Sequence, residues 1–174
     1  MRFLDILIRC IEYNIFFMKA MIFAAGIGSR LKPYTDFHPK AIVPVGGVPA
    51  LQRILVKLKE ANITNVIVNV HHFGDQIVDF LSNNNNFGLN IKISDETGLL
   101  LDTGGGLLKV ASLLEDADNE PILLHNADII TDFSVQDMKI MHEKTCADVT
   151  LLVDKRESSR QLLLSSEMEL KGWH

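Results

Sequence analysis

Lys19-Ala20-Met21-Ile22-Phe23 runs straight into Ala24-Ala25-Gly26-Ile27-Gly28-Ser29-Arg30-Leu31-Lys32-Pro33, with Pro39-Lys40 a short interval beyond. The first five residues are an apolar run of buried-strand length. A strand ending in closely spaced glycines lets the backbone approach a ligand, and its exposed N–H groups can cradle phosphate oxygens. Arg30 adds a planar, permanently charged fork suited to phosphate, and Lys40 adds a point charge. Together they read as a polyphosphate site. The glycines alone would equally fit an ordinary strand-to-loop turn with two solvated cations, because a short Gly-x-Gly pattern matches by chance.

Two familiar phosphate motifs are excluded by inspection. A P-loop needs Gly-Lys-Ser/Thr after its second glycine, and here Gly28 is followed by Ser29-Arg30. A dinucleotide fingerprint needs a third small residue where Leu31 stands, which disfavours an oxidoreductase. What remains, Gly-x-Gly-Ser-Arg-x-x-Pro and then Pro-Lys, resembles the signature of the sugar-1-phosphate nucleotidyltransferases.

The 174 residues are the size of one domain. Hydrophobic content of 47% and charged content of 22% are ordinary for a globular protein. A net charge of -5 leaves no electrostatic footprint for nucleic acid or an anionic membrane. Cys10 and Cys146 form neither a ligand cluster nor a disulfide framework, which fits a reducing cytoplasm. Residues 1–17 are apolar but interrupted by Asp5, Arg9 and Glu12, with no small-x-small cleavage site. They read as an N-terminal extension, a mis-assigned start ahead of Met18.

Working outward, Ala41 to Val45 is too proline-marked for a central strand. Residues 50–61 carry Leu51, Ile54, Leu55 and Leu58 at helical spacing. Strands are predicted at Asn65–Val70, Leu89–Ser94, Pro121–His125 and Asp148–Val153. Helices are predicted at Gly74–Leu81, over residues 104–115 and at Val135–Lys144. Strands alternating with short helices indicate an α/β protein: a three-layer α/β/α sandwich, Rossmann-like, with a mostly parallel central sheet.

Ligands of such sheets collect at the carboxyl ends of the strands. After the second strand, His71-His72 read as a solvated turn with one satisfied ring; neighbouring side chains diverge, which argues against shared metal ligation. After the third, Asp95 to Gly106 closes on Gly104-Gly105-Gly106, which could lie flush against a flat ring or an anion, or simply open a helix. After the fourth comes Asp128, a carboxylate at an apolar strand end that needs a partner or a cation, unless it caps a turn. Magnesium, a hard ion satisfied by one or two carboxylates and substrate oxygens, suits it.

The resemblance implies a fuller assignment over residues 18–173. It implies nucleotidyl transfer from a nucleoside triphosphate to a sugar 1-phosphate, with Mg²⁺ held by Asp128. Arg30 and Lys40 would be catalytic. Ala24, Ala25, Gly26, Gly28, Ser29, Asn69, Glu96, Thr103, Gly104 and Gly105 would bind nucleotide. Leu100-Leu101-Asp102-Thr103-Gly104-Gly105-Gly106 looks most like the N-acetylmuramic acid 1-phosphate uridylyltransferases, which points to uridine and cell-wall sugar recycling. A mannose-type phosphate with guanosine comes second and phosphocholine with cytidine third. Family members continue for some tens of residues, so the domain over 18–174 is expected to be incomplete at its C-terminus. A non-catalytic nucleotide-binding domain is therefore the reading from another class. An unfinished sheet would also expose an edge that favours homo-oligomers.

Overall fold

The computed structural model describes residues 18–114, 120–154 and 161–173. The expected extension over 1–17 lies outside them. The chain divides into two compact units, residues 1–136 and 137–174.

The first unit is built on a parallel sheet of β1 (Lys19–Phe23), β4 (Asn65–Val70), β5 (Asn90–Asp95) and β6 (Ile122–Asn126), in the order β5-β4-β1-β6. β1 is central, and Ala20, Met21 and Ile22 are all fully buried. Its apolar run is continuous because helices cover both faces of the sheet. On one face Ala20, Ile22, Val66 and Val68 pack with α1 (Ala50–Glu60) and α2 (Gly74–Asn83). On the other, Met21 and Ile67 meet Val110 and Leu114 near the short helices α3 (Asp102–Lys109) and α4 (Ala111–Leu114). The expected three-layer architecture with a parallel sheet is what forms.

α1 buries Leu51, Ile54, Leu55 and Leu58, the face its spacing predicts. It stops where Asn62 turns left-handed at φ 59°. There Ile63 N–H donates to Leu58 C=O and Asn62 N–H to Lys59 C=O, both at 2.9 Å, the double closure of a Schellman end. The proline-marked segment forms a single 3₁₀ turn at Lys40–Ile42 and a two-residue ribbon, β2 (Pro44–Val45) against β3 (Val48–Pro49).

Two expectations fail. The helix foreseen over residues 104–115 starts at Asp102 and breaks at Val110, whose N–H donates to Leu107 in a tightened last turn. The strand foreseen at Asp148–Val153 does not form, and Val149, Leu151, Leu152 and Val153 are exposed. Alternating apolar residues give strand propensity, but a strand exists only through a ladder, and none engages these residues within the described chain.

In the second unit, β7 (Leu162–Leu164) and β8 (Leu170–Trp173) form an antiparallel hairpin. α5 (Val135–Thr145) spans the division between the units. No helix among the described residues is long and apolar enough to cross a membrane.

Candidate active site

The chain builds β1, β4 and β5 in one direction, then returns to add β6 on the far side of β1. The carboxyl ends of β1 and β6 therefore flank the point where strand order reverses, the usual ligand crevice of an open α/β sheet. Both ends carry predicted site residues. Ala127 N–H donates to Phe23 C=O at 3.0 Å, which holds the two strand exits side by side.

The glycine loop leaves β1 tightly bound and then opens. Asn69, at the end of β4, presents Oδ1 to the N–H groups of Ala24 (2.7 Å) and Ala25 (3.3 Å). Beyond them, the N–H groups of Gly26, Ile27 and Gly28 meet no protein acceptor among the described residues. Gly28 is left-handed, with φ 72°. Leu31 N–H and the Thr35 hydroxyl both donate to its carbonyl at 2.9 Å, folding Ser29-Arg30-Leu31 into one 3₁₀ turn. A Cβ at Gly28 would sit 2.9 Å from Thr35 Cγ2 and 3.0 Å from Lys40 Cβ. Gly28→Ala is thus expected to lower stability by about 1–2 kcal/mol from the left-handed backbone alone. Urea unfolding of that variant measures the loss, and an unchanged midpoint would contradict the strain.

Thr35 was not foreseen as a site residue. Its burial to 2% exposure beside Gly28 is a property of the folded loop that no residue spacing announces.

Lys40 and Asp128, far apart in sequence, are brought together: Nζ donates to Oδ2 at 2.9 Å. A Cβ at Gly26 would lie 3.2 Å from Lys40 Nζ, so the ammonium rests over the glycine loop. Partial burial pushes the Asp128 carboxyl up. The Lys40 hydrogen bond and charge, its own backbone N–H and the Arg30 charge outweigh this and hold it below the ordinary 3.8. Burial also pushes the neighbouring His125 imidazole below its ordinary 6.5, against the pull of the Asn126 carbonyl; the Lys57 charge adds to the depression and Asp128 opposes it. Arg30 and Ser29 are exposed at the loop's outer turn.

On the β5 side, Glu96 is 2% exposed, as is Asn69. Asn69 Nδ2 donates to Glu96 Oε1 at 2.8 Å, and Leu101 N–H donates to Oε2 at 3.2 Å. Neither side chain faces solvent. Thr103 and Gly104 are exposed at the start of α3, Gly105 is half-buried, and Gly106 is buried against Glu96. His71 uses Nδ1 on the Glu96 carbonyl at 2.7 Å, and the His72 ring packs on Phe73 at 4.1 Å, in line with a turn holding one satisfied imidazole.

The class of protein follows from fold and comparison together. Residues 19–161 match the nucleotidyl transferase family model, and the chain belongs to that family. It is 40% identical over 115 residues to an N-acetylmuramate alpha-1-phosphate uridylyltransferase of Neisseria meningitidis serogroup B, covering 66% of this chain and 48% of that protein. It is 33% identical over 141 residues to a mannose-1-phosphate guanyltransferase of Gibberella zeae, covering 80% and 38%. Among solved structures, the CTP:phosphocholine cytidylyltransferase of Streptococcus pneumoniae superposes with a TM-score of 0.55 at 28% identity, covering 68% of this chain and 48% of that one. The chain thus spans about half the length, or less, of these relatives.

Proposed function

We propose that this chain carries the nucleotide half of a nucleotidyltransferase site that joins a nucleoside triphosphate to a sugar 1-phosphate, releasing pyrophosphate. One observation carries the reading: Lys40 and Asp128 are paired at 2.9 Å at the crevice between β1 and β6, beside glycine-loop N–H groups that meet no acceptor among the described residues. A cation, a carboxylate and open amides are what a metal-bound polyphosphate requires. An oxygen of the sugar phosphate would attack the α-phosphorus, forming one P–O bond as the bond to the β-phosphate breaks. No protein nucleophile is needed, because positioning and charge neutralisation carry such a step. Gly26, Gly28 and Ser29 would hold phosphate oxygens through backbone N–H groups. Lys40 would hold oxygens near the reacting centre, and Arg30 would meet charge growing on the leaving pyrophosphate.

Asp128 fits Mg²⁺: it is a hard ligand, ionised at neutral pH and partly open to solvent. Among the described residues no group of three or more His, Cys, Asp or Glu side chains gathers, and substrate oxygens and water are among the further ligands such an ion would take. When bound, the ion would supply Lewis-acid stabilisation of phosphate charge.

Uridine with N-acetylmuramic acid 1-phosphate is the favoured pair, supported by the 40% identity to a uridylyltransferase. Guanylyl transfer to a mannose-type phosphate and cytidylyl transfer to phosphocholine are the competing readings, each supported by a relative of that kind. A cytoplasmic enzyme of cell-wall sugar recycling would accord with the first.

Thermal shifts with UTP, GTP, CTP and dTTP, each with and without Mg²⁺, test the proposal. A nucleotide at about 100 times its dissociation constant stabilises by roughly 2.7 kcal/mol, on the order of 5–10 °C for a chain of this size. A Mg²⁺-dependent shift with UTP alone is the expected result. A shift with GTP or CTP instead reassigns the base, and no shift with any nucleotide overturns the proposal. A shift without pyrophosphate release would favour a nucleotide-binding domain without turnover.

A further inference from the structure

The two glycine-bearing segments of the site leave different strands, β1 and β5, and do not follow one another in sequence. Four hydrogen bonds nonetheless join them in one line. Ala24 and Ala25 donate to Asn69 Oδ1, Asn69 Nδ2 donates to Glu96 Oε1, and Leu101 N–H donates to Glu96 Oε2. The directions of all four are fixed by chemistry. Two backbone N–H groups converge on one atom of the Asn69 amide, so that atom is oxygen and the other must donate. Glu96 then receives a donor on each oxygen, as a carboxylate does. Both side chains are 2% exposed, so neither presents a surface for a ligand to touch.

The third glycine of the triplet belongs to the same arrangement. A Cβ at Gly106 would lie 2.8 Å from Glu96 Oε1 and 3.1 Å from Asn69 Nδ2, at the very bond that links the two side chains. A Cβ at Gly104 would meet nothing within 4 Å. A side chain at 106 would thus displace the Asn69–Glu96 contact, whereas position 104 has open space.

We infer that Asn69 and Glu96 are a positioning pair, locking the phosphate loop and the 96–106 segment at one spacing without contacting ligand. The inference rests on the nucleotide reading above and adds to it how the two halves of the site are held in register. A nucleotide long enough to touch both segments needs that spacing, whereas a bare polyphosphate needs only the first. A buried donor left without an acceptor keeps its full desolvation penalty, which favours release of the segment it belonged to.

The donor and acceptor directions allow a swap as the test. In Glu96→Gln the new amide can satisfy Asn69 Nδ2 or Leu101 N–H but not both. In Asn69→Asp two carboxylates face each other across the original 2.8 Å contact. In the double variant N69D/E96Q, Asp would accept from Ala24, Ala25 and the Gln amide, while the Gln oxygen would accept from Leu101, so every bond is restored with one direction reversed. Dissociation constants are measured by calorimetry for the Mg²⁺ complexes of UTP, GTP, CTP and inorganic tripolyphosphate, with ligand-free melting temperatures alongside.

For whichever nucleotide binds the wild-type chain, E96Q should weaken binding by about 10-fold. Its loss for tripolyphosphate should be at least threefold smaller, and N69D/E96Q should regain nucleotide affinity. Gly106→Ala, which pushes on the same bond, should reproduce the E96Q pattern if the double swap fails to fold. Equal losses for nucleotide and tripolyphosphate, unchanged nucleotide affinity in E96Q, or a folded double variant without recovery would overturn the inference while leaving the proposed function standing. A wild-type chain that binds none of the nucleotides removes both.

Discussion

Replacing Asp128 with asparagine is expected to abolish the Mg²⁺-dependent part of the nucleotide thermal shift. The exchange is nearly isosteric, and the asparagine oxygen can still accept from Lys40. What it removes is the negative charge, which Lys40 and Arg30 together hold ionised despite partial burial. A carboxyl held below its ordinary 3.8 stays charged throughout the neutral range. Its pairing contributes stability above the unfolded value and loses it as pH falls through the lower, folded value. The contribution of Asp128 to the metal preference should therefore be flat from about pH 6 to 8 in the wild type. The ligand-free protein should lose little, because the Lys40–Asp128 side chains are 21% and 37% exposed and such pairs contribute roughly 0–1 kcal/mol. A large loss of Mg²⁺ response with a nearly unchanged ligand-free melting point is the signature of a ligand role. An undiminished Mg²⁺ response in Asp128→Asn would remove Asp128 from the metal site.

Arg30→Ala carries the other large effect. Arg30 sits on the exposed 3₁₀ turn behind Gly28, where its charge already reaches Asp128. A donor aimed at charge that develops only during reaction affects turnover more than binding. Pyrophosphate release should therefore fall on the order of 10²-fold or more, while the nucleotide dissociation constant changes far less. Arg30→Lys should recover only part of the rate, since a point charge cannot reproduce a planar two-pronged donor. Near-normal release by Arg30→Ala would refute the role, and a parallel rise in the dissociation constant would recast Arg30 as a ground-state phosphate ligand.

Both residues stand out in the sequence as candidates, but the contacts that surround them do not. Arg30 and Lys40 stood out because they follow a strand-glycine boundary within a short span. Asp128 stood out as a carboxylate closing an apolar run. That Lys40 and Asp128 would pair depended on β6 adding beside β1 and not beyond β5, which no local pattern encodes. Asn69 and Glu96 were picked out by family resemblance as nucleotide-binding residues. Their burial, and their bond to one another across the β4 and β5 ends, came only with the fold.

The sequence by itself determined the β1 strand and its glycine exit, the buried face of α1 and the proline-broken segment at 41–45. Each depends on side-chain period or backbone preference over a few residues, and such preferences act locally. Only the tertiary structure decided the break at Val110, the absence of a ladder over 148–153, the Thr35 clasp on Gly28 and the line from Ala24 to Leu101. Those features are contacts between residues that share no local spacing. Strand pairing and buried hydrogen bonds form when distant segments dry each other's surfaces, and the pattern of either segment alone does not name its partner.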